Sequence, residues 1–329
     1  MYKQTTQGEA SYMSDEIKLG QNRYTYTNLT DWSKTPVGIG WDEVAGVAVG
    51  SDNLIYVFAR GDYPILVFDK DGNYLRTWGQ GIFTSGHAIT PGPDNTFYCT
   101  DHFDHTIRWM TSDGQIKMTL GTPGEPSALH GGKPFNKPTD VAVDQNTGDI
   151  FVSDGYMNSA VHRFSHEGDH ILSWGGPGVD PGEFSLPHNI AIDNDGYIYV
   201  ADRENHRIQV FDQNGAFQHE YTNVHRPCAL RIGQDGLMYV GELGFQGPVS
   251  QLVPNIGPRI SIIDRSGKRL AKVGDKGFGK QPGQMIAPHG IAIDQDGNIY
   301  LGEVSKTAGS AWLDSMENVV SFRKLELLD

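Results

Sequence analysis

Internal repetition constrains this chain more than any other feature. The stretch "PHNIAIDNDGYIYVADRENHRIQVFDQNG" from Pro187 is matched by "PTDVAVDQNTGDIFVSDGYMNSAVHRFSHEG" from Pro138 and by "PHGIAIDQDGNIYLGEVS" from Pro288. Looser copies begin "AGVAVGSDNLIYVFARGD" at Ala45, "GHAITPGPDNTFYCTDHFDHTIRWMTSDG" at Gly86 and "PCALRIGQDGLMYVGELG" at Pro227, which makes six. Each copy opens with a short apolar strand and an Asp/Asn/Gly turn. A second strand of alternating Ile, Tyr and Val follows, then a third strand, a hairpin and a fourth strand. Asp-Gly pairs such as Asp71-Gly72 and Asp195-Gly196 mark the hairpins. Four strands in a unit of roughly 40–60 residues is the pattern of a propeller blade. The expected fold is therefore all-β: one six-bladed β-propeller over residues 23–329, four strands per blade, around a central channel. Residues 1–22 are expected to be a flexible, polar segment. The stretch "NRYTYT" near Asn22–Thr27 is a candidate for the strand that closes the ring.

Composition narrows the function. The chain has 329 residues, 41 of them glycine, and a formal net charge of −14. A surface so acidic repels phosphate backbones, so nucleic acid is not an expected partner. No apolar run is long enough to span a bilayer, so no membrane association is expected either. The N-terminus lacks an apolar signal region. With only two cysteines, Cys99 and Cys228, a reducing cytoplasmic location is the expectation.

Aligning the six first strands exposes one informative slot. It holds Ala45, His87, Thr139, His188, Cys228 and His289 in order. Histidine occupies every second copy, and small residues occupy the others. First strands line a propeller's channel, so alternate blades aim three imidazoles at the axis from positions a third of a turn apart. Three histidines with open coordination positions suit catalytic zinc, although the ligand types also admit iron, manganese or cobalt. The competing reading is three core histidines satisfied by backbone groups. His102 and His105, and His162, His166 and His170, are expected as solvated loop or edge residues.

A second slot, at the end of each second strand, holds Arg60, Asp101, Asp154, Asp202, Glu242 and Glu303. The acids are expected to accept backbone N–H bonds. Arg60 departs from the pattern and is a candidate carboxylate clamp; otherwise it pairs with a nearby acid such as Asp62. Tyr156, two residues past Asp154, is a candidate acid or base facing the metal, with a phenol expected to titrate below its usual value near 10. Otherwise it is a packing tyrosine.

The segment "NHRIQVFD" resembles the name-giving pattern of NHL repeats. The stretches "GVAV…VFARGD", "GHAI", "SDGYMNS", "FSLPHNIAID", "ADRENHRIQVF" and "APHGIAID" together resemble the catalytic core of the peptidyl-α-hydroxyglycine α-amidating lyases, over roughly residues 40–310. The resemblance implies zinc on His87, His188 and His289, substrate binding or polarisation by Arg60, and Tyr156 as the base. It also implies a structural Ca2+ on the backbone carbonyls of Val47 and Ile89 and on an aspartate directly after the last histidine. Here that position is Gly290, which leaves calcium open. Ala287 replaces a family methionine, and the family's disulfide cysteines, secretory signal and accompanying monooxygenase domain are not in this chain. Amidation of secreted peptides is thus not the expected role.

The leading expectation is a metal-dependent lyase that breaks the C–N bond of a small α-hydroxylated amide, with a small-molecule substrate as its partner. The alternatives are a hydrolase of lactones, esters or amides at the same site, and a non-catalytic NHL scaffold. Selectivity is expected in the loops Thr122–Lys137 and Gly244–Pro258.

Overall fold

The computed structural model of the protein describes residues 17–274 and 276–328. It contains six antiparallel sheets arranged as blades. Blade one comprises Glu43–Val49, Ile55–Arg60, Ile65–Phe68 and Tyr74–Trp78. Blades two to five repeat this order, with first strands at Gly86–Pro91, Asp140–Val143, Pro187–Ile192 and Pro227–Ile232. Blade six opens at Pro288–Ile293 and continues through Ile299–Glu303 to Phe322–Leu327. Consecutive first strands touch in a closed circle, blade six returning to blade one.

The ring closes through the N-terminus. Tyr24–Leu29 pairs antiparallel with Phe322–Leu327, supplying the fourth strand of blade six as "NRYTYT" suggested. Lys18–Gln21 then adds a fifth strand at that edge. This corrects the expected boundary: the propeller begins at Lys18, inside the segment expected to be flexible. The reason is burial, because Leu19 and Tyr26 are inserted among Ile262, Val273, Met285 and Leu325. Residues 1–16 of that segment lie outside the described residues.

Apolar side chains pack between neighbouring blades, as the alternation along each strand dictates. Phe58, Phe97 and Cys99 join blades one and two; Phe151, Ile190 and Phe211 join blades three and four. Two insertions interrupt the regular pattern. Residues 243–258 lie between the second and third strands of blade five, and residues 304–321 lie at the same place in blade six, carrying the short helix Ser305–Gly309. No helix among the described residues is long and apolar enough to cross a membrane.

Closure by Tyr26 should matter to the whole ring. Its ring is 1% exposed, so Tyr26→Ala is expected to cost about 3–5 kcal/mol of stability. Denaturant unfolding measures this; a loss under about 1 kcal/mol would show that the closing strand contributes little.

Candidate functional site

The first-strand slot converges as its spacing predicts. The ring centroids of His87, His188 and His289 are 4.9, 4.6 and 4.8 Å apart, nearly an equilateral triangle. One ring nitrogen from each lies within 4.8 Å of the other two, and all three residues are buried. The alternate slots explain their orientation. Nδ1 of His87 donates to the carbonyl of Thr139 at 2.6 Å, His188 to that of Cys228 at 3.0 Å, and His289 to that of Ala45 at 2.7 Å. Each histidine is thus held by the slot residue of the following blade. A carbonyl only accepts, so Nδ1 carries the proton and Nε2 keeps its lone pair. Burial pushes all three pKa values down, His188 to about 3. Neutral imidazoles with an outward Nδ1–H bond are the form that ligates a metal. The residues fit a divalent transition metal.

Tyr156 completes the cluster. Its Oη lies 2.9 Å from Nε2 of His87 and 3.2 Å from Nε2 of His188. Gly155 makes this approach feasible: a Cβ there would sit 1.9 Å from the carbonyl oxygen of Pro187, the residue before His188. The expectation of a low phenol pKa needs correction. Burial raises it, while the charges of Arg203 and Arg60 act in the opposite direction. A dication held by the imidazoles would add to that opposing effect.

In the second slot all five acids accept the N–H groups that lead into their own blade's first strand. Asp202 accepts from Ser185 at 2.8 Å and Glu303 from Ile286 at 2.7 Å; Asp101, Asp154 and Glu242 do the same for Ser85, Asn136 and His225. A third-strand cation backs the acid in several blades, as Arg207 does for Asp202 at 2.8 Å and Arg259 for Glu242 at 3.0 Å. Blade one inverts the arrangement. Arg60 occupies the slot, and its partner is Glu43 at 2.6 Å rather than Asp62. Glu43 in turn fixes the N–H of Thr307 at 2.7 Å. Arg60 also donates to the carbonyl of Gly86, the residue before His87.

The calcium implied by the resemblance does not fit. A Cβ at Gly290 would lie 2.7 Å from the Cα of Gly46 and 2.8 Å from the carbonyl oxygen of Ala45. No carboxylate can extend from that position without displacing blade one. Val47 and Ile89 are ordinary buried strand residues paired with Val57 and Cys99.

Several histidines depart from the solvated reading. His102 and His105 are 7% and 8% exposed. His102 stands 5.2 Å from the His87 ring and 5.6 Å from Tyr156, and burial lowers its pKa to about 4. His162 is fully buried and bonded to Asp154 at 3.2 Å, standing at the register where blades two and six have Arg108 and Arg323. His166 is exposed beside Glu167, and His170 is exposed too, as expected of edge residues.

The cluster opens into a cavity of about 600 Å³. Among the described residues four cations line it, Arg60, Lys137, Arg203 and Arg226, and no carboxylate does. Glu204 lies behind, bonded to Arg203 at 2.8 Å and to Arg226 at 2.9 Å. An aromatic group lines it too: Phe245, whose carbonyl accepts from Arg226 at 2.9 Å, meets Phe278 and Trp312 edge-on at 5.0 and 5.1 Å. Lys137 and Phe245 come from the loops expected to carry selectivity. Trp312 comes from the blade-six insertion, which no repeat signal marks.

Comparison with known proteins agrees with the geometry. A family model described as NHL repeat matches residues 135–164 and 184–211. NHL repeat-containing protein 3 of Homo sapiens is 30% identical over 296 residues, 84% of this chain and 81% of that protein. Peptidyl-alpha-hydroxyglycine alpha-amidating lyase 1 of Drosophila melanogaster is 31% identical over 261 residues, 71% of this chain and 45% of that protein. A solved gluconolactonase from Xanthomonas campestris shares the fold, with a TM-score of 0.62 at 13% identity over 93% of this chain and 90% of that one.

Removing one ligand tests the cluster. His188→Ala should lower bound transition metal from about one per chain to about a tenth or less. The far-UV spectrum should be unchanged, because the slot lies on the channel and not between blades. Undiminished metal content by mass spectrometry would exclude the cluster as the binding site.

Proposed function

The chain belongs to the family of NHL-repeat propellers that includes NHL repeat-containing protein 3 and the peptidyl-α-hydroxyglycine α-amidating lyases, and from that premise we propose that it is a metal-dependent lyase cleaving the C–N bond of a small α-hydroxylated amide. The observation that carries this reading is the phenol of Tyr156 lying against the Nε2 atoms of two of three convergent histidines. A divalent metal held by those imidazoles, zinc by preference, supplies a Lewis acid that lowers the pKa of an oxygen presented to it.

The protein's own groups account for the rest. A substrate hydroxyl placed at the imidazole face lies within reach of Tyr156 Oη; as the phenolate that Arg203, Arg60 and a bound dication would favour, Tyr156 takes its proton. The oxygen electrons form the aldehyde carbonyl, the C–N bond breaks, and its electron pair passes to the amide nitrogen. Tyr156 returns the proton it took to that nitrogen as the primary amide leaves, which restores the phenolate. Arg60 is anchored by Glu43 yet reaches the cavity, so it is placed to clamp a carboxylate on the carbon that becomes the aldehyde. Arg203, Arg226 and Lys137 extend the positive field. Phe245, Phe278 and Trp312 offer an apolar shelf for the acyl part. The favoured substrate is therefore an N-acyl α-hydroxyglycine-like acid with an apolar acyl group.

Tyr156→Phe should retain metal and lose about a hundredfold or more in kcat; undiminished turnover would remove Tyr156 from the mechanism. Arg60→Ala should reduce kcat/KM about tenfold to hundredfold for a substrate with the carboxylate, and much less for its uncharged amide. Equal losses on both would exclude a clamp. Reaction in oxygen-18 water separates elimination from hydrolysis. The lyase releases a primary amide without label, whereas a labelled carboxylic acid from the acyl part would identify a hydrolase.

A further inference from the structure

A second layer crosses the channel behind the histidines. One position past the histidine slot, the first strands carry Gly46, Ala88, Asp140, Asn189, Ala229 and Gly290. Three positions past it they carry Ala48, Thr90, Ala142, Ala191, Arg231 and Ala292. Both rings are small and uncharged except at Asp140 and Arg231. The two meet: Arg231 Nη1 donates to Asp140 Oδ2 at 2.6 Å and Nη2 to Oδ1 at 3.3 Å. Nη2 also reaches Thr90 Oγ1 at 3.4 Å. Blades two and five stand opposite each other in a six-bladed ring, so this side chain spans the axis.

Asp140 is 0% exposed. It also accepts from Thr90 Oγ1 at 3.2 Å and from Asn189 Nδ2 at 2.8 Å. The other end of the Asn189 amide, Oδ1, accepts from Nδ1 of His188 at 2.7 Å. The chain Arg231–Asp140–Asn189–His188 thus runs from an ion pair to a candidate metal ligand. None of Arg231, Asp140 or Thr90 lines the cavity, so substrate contact does not explain them.

We infer that Arg231 is a built-in cation of the channel: it neutralises the buried Asp140, ties blades two, three and five together, and through Asp140 and Asn189 it positions His188. A buried carboxylate needs a partner, and a guanidinium supplies charge and two donors without an exchangeable ion. Arg231 is a positioning residue, because it touches neither substrate nor metal. The link to His188 rests on the three-histidine metal reading; the bracing of the three blades by a built-in cation does not.

The test uses full-length protein in three arms. In the first, the melting temperature of the wild type is measured in excess EGTA and in millimolar Ca2+. The two should agree, and a rise of more than about 3 °C with Ca2+ would overturn the built-in cation. In the second, Zn2+ affinity is measured against a chromophoric chelator, without any activity assay. Asn189→Ala should weaken it about tenfold while leaving the melting temperature within about 2 °C, and an unchanged affinity would overturn the link to His188. In the third, Arg231→Met should lower the melting temperature by about 5 °C or more, and Arg231→Lys should recover most of that loss. Equal stability of Arg231→Met and wild type would overturn the proposal. A wild type that takes up no transition metal would sink the lyase reading and the link to His188, while the calcium and melting arms still decide the cation.

Discussion

The site depends on one hydrogen bond made three times. Each channel histidine donates Nδ1–H to the backbone carbonyl of the equivalent residue in the next blade. The bond fixes the tautomer, turns Nε2 inward and locks the ring without any contribution from the metal. It also explains the alternation along the sequence. Ala45, Thr139 and Cys228 are more than spacers, because their carbonyls orient the neighbours and their small side chains leave room for the imidazoles. The bond from His289 to Ala45 joins blade six to blade one, so the third imidazole is in place only when the ring is closed. Tyr24–Leu29, with Tyr26, therefore supports the histidine cluster, although it lies far away in sequence.

Charge is segregated as strictly as shape. The chain carries a net charge of −14, yet the cavity wall presents Lys137 and three arginines whose carboxylate partners, Glu43 and Glu204, are set behind. In five blades the acid at the end of the second strand satisfies the N–H groups entering the first strand. Blade one places Arg60 there, and the acid moves to Glu43. The exchange keeps an ion pair at the position while turning its cation toward the cavity. A slot that holds an acid in five copies thereby turns a cation to the cavity in the other.

The repeats made the architecture legible, and the histidine slot made the centre legible, because both follow from the two-residue period of strands. Arg60 and Tyr156 were found where patterned positions break or end. His102, Arg203 and Arg226 lie in segments between strands, and Trp312 lies in an insertion, where no period applies and tertiary contact decides what faces the cavity. His102 reads as solvated because sequence alone does not reveal the packing of His87 and Tyr156 against it. The partner of Arg60 was misplaced for a related reason: Glu43 is remote in sequence and adjacent only through strand pairing. Arg231 and Asp140 could have been found by the method that located the histidines, since each breaks a ring of small residues. Gly290 shows the limit of a resemblance read position by position. The missing aspartate is visible in the sequence, whereas the backbone of Gly46 that excludes it is visible only in the fold.

Anomalous diffraction at the absorption edge of a metal soaked into crystals of the protein tests the central claim most directly. One peak is expected on the channel axis, about 2.0–2.1 Å from Nε2 of His87, His188 and His289, with every Nδ1 still bonded to its carbonyl. A peak bound through Nδ1, a peak away from these histidines, or no peak in fully loaded crystals would contradict the account.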